Sequence, residues 1–174
     1  MKLAQCIILD LLNNYDPVPI LPETCDFHFS GVQLLDQDNP TDDPSILYIG
    51  TTTQISSFDT EKLKDFCIIC IGKKEDVSSY IENYQANLIL IPENHSLASV
   101  VNTLYTGFHR ILRWDAELQN AILSKQNYQS LFSIGGRFFG KNAMLMVNSS
   151  YNVIGTNLLE APGHEKLDFI LKNG

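Results

Sequence analysis

The side chains equipped for chemistry are few, and their spacing limits what they do. Cys67-Ile68-Ile69-Cys70 has the two-residue gap of redox and zinc sites. Its surroundings, Phe66 through Gly72, are a continuous apolar run of the kind a buried strand presents. Residues three apart on a strand point to opposite faces, so the two sulfurs would diverge. With no second CxxC and no histidine nearby, Cys67 and Cys70, like Cys6 and Cys25, read as small apolar residues. A second group is more suggestive. Thr51-Thr52-Thr53 follows Gly50, Lys73-Lys74 follows Gly72, and Glu93-Asn94-His95 follows Pro92, each directly after an apolar run.

Those runs are Ile46–Gly50, Cys67–Gly72 and Ala86–Pro92, short and Ile/Leu-rich as strands covered on both faces should be. Between them, helices are predicted over about 57–65, with Phe58, Leu63 and Phe66 inward, and over about 75–84, with Val77, Tyr80, Ile81 and Tyr84 inward. Strand–helix–strand–helix–strand predicts a small parallel sheet with right-handed crossovers. Thr51, Thr52, Thr53, Lys73, Glu93 and His95 would then share its carboxyl edge, where open α/β sheets bind ligands. Hydroxyls, a cation and a carboxylate there suit a small polar metabolite. The same residue types also serve as turn and helix-cap residues.

Catalytic, metal and cofactor sites are not expected. The sequence lacks GxGxxG, Walker A, HExxH and GxSxG patterns, and His28, His95, His109 and His164 are scattered. Asn94-His95-Ser96 and Asn148-Ser149-Ser150 match the glycosylation pattern by chance, since the start of the chain reads as cytosolic, not as a signal peptide.

Ahead of the sheet, Leu3, Ile7, Ile8, Leu11 and Leu12 predict an amphipathic helix, followed by a proline-rich stretch over 17–22 and a strand over Phe27–Leu35. The acidic run 36–44 is a solvated connection. Residues 1–94 thus form an α/β domain. A long helix spans about 95–125, begun by Asn94-His95-Ser96 as its cap. Its heptad-like seam is Leu97, Val101, Leu104, Phe108, Ile111, Leu118 and Ile122, interrupted by Asp115, with Val100, Tyr105, Leu112, Trp114 and Leu123 as a second apolar flank. This seam either pairs two copies of the chain or is core within one. Tyr128 to Phe139 predicts another helix, despite Gly135-Gly136. Two short strands about Asn148-Ser149-Ser150 predict a hairpin, and Leu167–Leu171 a short final helix. Residues 126–174 are too few for a core of their own, and are expected to open a domain cut short.

Charge narrows the partners. The chain has 174 residues, 44% of them apolar. Residues 1–100 hold 5 Lys and Arg against 15 Asp and Glu, whereas 101–174 hold 7 against 5. So acidic a first part repels a phosphate backbone, and direct nucleic-acid contact is not expected. No apolar run reaches membrane-spanning length.

Arg113-Trp114-Asp115-Ala116-Glu117-Leu118-Gln119-Asn120-Ala121-Ile122-Leu123, then Tyr128-Gln129-Ser130-Leu131, then Phe138 through Ile154, resemble the N-terminal regulatory half of PucR/CdaR-type bacterial transcriptional regulators. The resemblance covers about residues 95–160. Gly140-Lys141-Asn142-Ala143 stands where the family usually has Gly-Asn-Pro, and Asn148 where aspartate is common. The resemblance implies an α/β regulatory domain, a linking helix and the start of a PAS/GAF-like α+β domain. It further implies a cytoplasmic, small-molecule-sensing dimer whose helix-turn-helix lies outside this chain. A structural dimerisation module that binds nothing, and a small α/β enzyme, are the alternatives.

Overall fold

The structure, a computed structural model, describes residues 2–20, 27–36, 43–56, 66–78, 87–139, 145–150 and 153–156. The helices predicted over 57–65 and 167–171, and most of that over 75–84, lie outside these residues. The chain divides into two compact units, Met1–His109 and Arg110–Gly174.

In the first unit, β5 (Ile46–Thr51), β6 (Ile68–Ile71) and β7 (Leu88–Ile91) are the three predicted strands, mutually parallel, with Ile49 opposite Ile69 and Ile69 opposite Ile89. β4 (Gly31–Leu34) adds a fourth parallel strand beside β5. With β2 (Val18–Ile20) at its other edge, the sheet order is β2-β7-β6-β5-β4. Its two-residue alternation divides the core. Tyr48, Ile68, Cys70, Leu88 and Leu90 pack with Leu35, Ile55, Phe66 and Val77 on one face. Leu47, Ile49, Ile69, Ile89 and Ile91 point the other way and are equally buried. Both faces are covered, as parallel sheets require.

Three local departures from the predicted elements have physical causes. β2 (Val18–Ile20) lies within the proline-rich stretch and pairs antiparallel with β7, which makes the sheet mixed. Pro19 is tolerated there because an edge strand need not donate on its outer side. The predicted strand over 27–35 is two strands: β3 (His28–Phe29) pairs with β1 (Leu3–Ala4), and β4 joins the main sheet. Between them, the Ser30 N–H and hydroxyl both reach the Ser45 carbonyl. The predicted first helix accordingly begins only at Gln5, as α1 (Gln5–Leu11), because Leu3 is held by Phe29. The described part of the 75–84 segment is a 3-10 turn, Glu75–Val77, continued by Ser78. α2 (Thr52–Ser56) follows β5 directly.

α3 (Leu97–Leu123) is a single helix of 27 residues contributing to both units. The Ser96 hydroxyl accepts the Ser99 N–H at 3.2 Å, the capping contact expected from sequence. Its far end closes in a Schellman motif. Lys125 takes the left-handed conformation (φ 51°), its N–H reaches Ile122 O, and the Gln126 N–H reaches Ala121 O. The face that α3 buries is Val100, Leu104, Gly107, Phe108, Ile111 and Ala121. It therefore shares Leu104, Phe108 and Ile111 with the predicted seam. Leu97, Val101 and Leu118 are half-buried and Ile122 is exposed. The closest approach is made by small residues, which an apolar pattern does not weigh: a Cβ on Gly107 would lie 2.6 Å from Leu11 Cδ1.

In the second unit, α4 (Tyr128–Phe139) starts at Asn127, whose side-chain oxygen accepts the Ser130 N–H at 2.9 Å. β8 (Leu145–Val147) and β9 (Val153–Thr156) form the predicted antiparallel hairpin, with a register shift between Met146 and Val147. At its turn, the Asn148 side chain accepts the Ser150 N–H.

Candidate functional site

The parallel pairing brings the predicted residues to one edge, but most are engaged there by neighbours. Thr51 ends β5 and opens α2 with a reciprocal cap. Its N–H reaches Gln54 Oε1 at 2.9 Å, while the Gln54 N–H reaches Thr51 Oγ1 at 3.4 Å. Gln54 Nε2 also donates to the Leu35 carbonyl at 3.1 Å, joining the ends of β4 and β5. The Thr-x-x-Gln spacing is the sequence signal for Gln54. Thr52 lies against Gly72, where a Cβ would come within 2.2 Å of its methyl group; Gly72 has φ 155°. Thr53 is exposed.

Lys73 and Glu93, each two residues beyond its strand, form an ion pair at 3.3 Å, and both side chains are more than half exposed. The edge thus carries one cancelled pair of charges, worth little to stability in water. His95 takes part in an aromatic and hydroxyl cluster. Its ring meets Tyr15 edge-on at 5.0 Å. The Tyr15 hydroxyl contacts Ser99 Oγ at 2.8 Å and Thr103 Oγ1 at 2.7 Å. Tyr15 is 84 residues from Ser99 in the chain, and no local pattern announces it.

Cys67 and Cys70 are fully buried, and burial pushes the Cys70 thiol up to about 12. A thiol so far from ionisation is inert at neutral pH. Among the described residues, no three His, Cys, Asp or Glu side chains are grouped to hold a metal ion.

Among the described residues, two open grooves are bordered by other side chains. One of about 610 Å³ in the first unit is bordered by Cys6, Asp10, Asn13 and Asp16. One of about 570 Å³ in the second is bordered by Glu117, Asn120, Gln126, Asn127, Ser133 and Arg137. Both are shallow and mainly polar, unlike the enclosed apolar pockets that hold most small ligands. What the strand edge offers is hydrogen bonding and weak charge recognition.

No protein-family model, no curated protein and no solved structure matches the chain. No helix among the described residues is long and apolar enough to cross a membrane.

Proposed function

We propose that the chain is the regulatory part of a cytoplasmic bacterial transcriptional regulator of the PucR/CdaR type. Its acidic α/β unit senses a small polar metabolite, and the second unit begins a PAS/GAF-like domain. A helix-turn-helix domain outside this chain would contact DNA, for which residues 1–100 carry the wrong charge. The observation that carries this reading is α3, an unbroken helix capped at Ser96 and closed at Lys125, with residues in both compact units. A rod of this kind passes a change of packing at one end to the other, and a ligand that prefers one packing shifts the balance. Dimerisation would use the apolar positions that α3 leaves at the surface, Tyr105, Leu112, Ile122 and Leu123.

A second reading, a dimerisation module that senses nothing, is favoured by the self-pairing of the strand edge: Thr51 with Gln54, Lys73 with Glu93. Thermal unfolding across a panel of amino acids, organic acids and sugars separates the two. A rise in midpoint that disappears in Lys73→Ala supports sensing at this edge; a flat panel eliminates it. Light scattering at increasing concentration should report a dimer, and a monomer throughout eliminates the helix pair.

A further inference from the structure

Within the second unit, the last turns of α3, α4 and the hairpin are joined mainly by polar and aromatic contacts. The Glu117 carboxylate lies between two arginines: Arg113 on its own helix at 3.1 Å and Arg137 on α4 at 2.9 Å. Beside it, Trp114 stacks on Phe138 of α4 with ring centres 4.4 Å apart and planes at 21°. The Arg110 guanidinium lies 5.7 Å from the centre of the Phe138 ring. Farther along α4, the Gln129 side chain donates to Thr156 O at 2.7 Å and accepts the Thr156 N–H at 3.2 Å. One amide thereby stands in for a neighbouring strand on β9. Next to it, Gly155 lies against Phe132, where a Cβ would come within 2.4 Å of the ring.

We infer that Glu117 is the fastening point of a latch: its pair with Arg137 sets α4 on α3, and α4 in turn holds the hairpin. Glu117 is a positioning residue here. Its two oxygens hold both helices at once: Oε1 takes Arg113 on its own helix and Oε2 takes Arg137 on the next. Arg113 thus keeps the carboxylate seated on α3 when the link between helices opens. Exposed ion pairs are weak and screened by salt, so the latch is poised to open and close. It would operate whether or not the strand edge of the first unit binds anything.

Trp114 is the only tryptophan in the chain, so its fluorescence reports on this corner alone. The test uses the full chain, with amide exchange read at Thr156 and in β5–β7. Glu117→Gln should shift Trp114 emission to the red and speed exchange at Thr156 by about twofold to fivefold, the range for losing an exposed ion pair. Exchange in β5–β7 should not change. About 1 M salt should do the same to the parent and add nothing to Glu117→Gln. Arg137→Gln should reproduce the effect, and Arg113→Gln, which spares the link between helices, should not. Unchanged emission and exchange in Glu117→Gln overturns the latch. So does equal acceleration in β5–β7, or an effect in Arg113→Gln as large as in Arg137→Gln.

Discussion

The two units bury their apolar residues very differently. In the first, β6 and β7 are covered on both faces, and Ile68, Ile69, Leu88 and Ile89 expose none of their surface. In the second, Leu145, Met146 and Val147 follow one another along β8 and are all exposed, Leu145 to 53%. α4 covers β9, where Gly155 lies against Phe132 and Thr156 is buried, but the side chains of β8 meet water. The first unit is held by packing. Among the described residues of the second, beside the buried Ala121, specific contacts stand out: the Glu117 ion pairs, the Trp114–Phe138 stack and the Gln129 bonds to Thr156. The lesson is one of consequence, since removing a methyl group harms the first unit and removing a polar group harms the second.

The sharpest way to break this comparison is to make equivalent truncations in both. Ile69→Ala hollows the centre of the sheet and should cost about 2–5 kcal/mol, because the surrounding strands cannot close the cavity. Leu145→Ala removes a side chain already in water and should cost no more than about 0.5 kcal/mol. Urea unfolding followed by far-UV dichroism measures both. Similar losses would mean that the second unit is packed as the first is.

Backbone closeness is next in size. Gly72 ends β6 at φ 155°, with Thr52 Cγ2 2.2 Å and Oγ1 2.8 Å from where a Cβ would sit. Gly72→Ala should cost about 1–3 kcal/mol from clash and backbone strain together. Thr52→Ala in the same chain removes both atoms and should relieve most of the steric part, leaving the strain and a tight contact with Thr52 Cβ at 3.1 Å. Thermal unfolding of the two single variants and the double variant gives the coupling. Additive losses would show that Thr52 is not what excludes a side chain at Gly72.

Legibility in the sequence followed how local each feature is, not the division into units. The runs at 46–50, 67–72 and 86–92 became β5, β6 and β7, because a strand buried on both faces must be apolar throughout. Ser96 acts as the cap expected of it, since capping is local, and Asn127 does the same for α4. β2 was not foreseen, because its pairing depends on β7, some 70 residues away, and Pro19 argues against a strand. The buried face of α3 was only partly foreseen, because Gly107 and Ala121 contribute closeness, not apolarity. At the strand edge, the capping role of Thr51 is legible from its residue type. The partners that occupy that edge could not be read in the same way: Gln54 reaches to Leu35, and Tyr15 to Ser99 and Thr103.

The smallest expected effect is also the most selective, because all four cysteines lie in the first unit and the only tryptophan in the second. Burial raises the Cys70 thiol from 9.0 to about 12, with a further push from the negative charge of Asp76. In the unfolded chain the same thiol ionises near its ordinary value. A group raised in the folded state contributes its full stability below the unfolded value and loses it as pH rises toward the folded one. Unfolding free energy should therefore fall from about pH 9 upward, by about 1 kcal/mol at pH 10, one pH unit being worth about 1.4 kcal/mol. Cys70→Ala should flatten that part of the slope, whatever the alkaline titration of tyrosines and lysines adds to both proteins. Trp114 emission at pH 10, where the first unit is weakened but still folded, should match that at pH 8 if the second unit holds itself together. A parallel change in Trp114 would mean that the second unit depends on the packing of the first and that its polar contacts do not suffice.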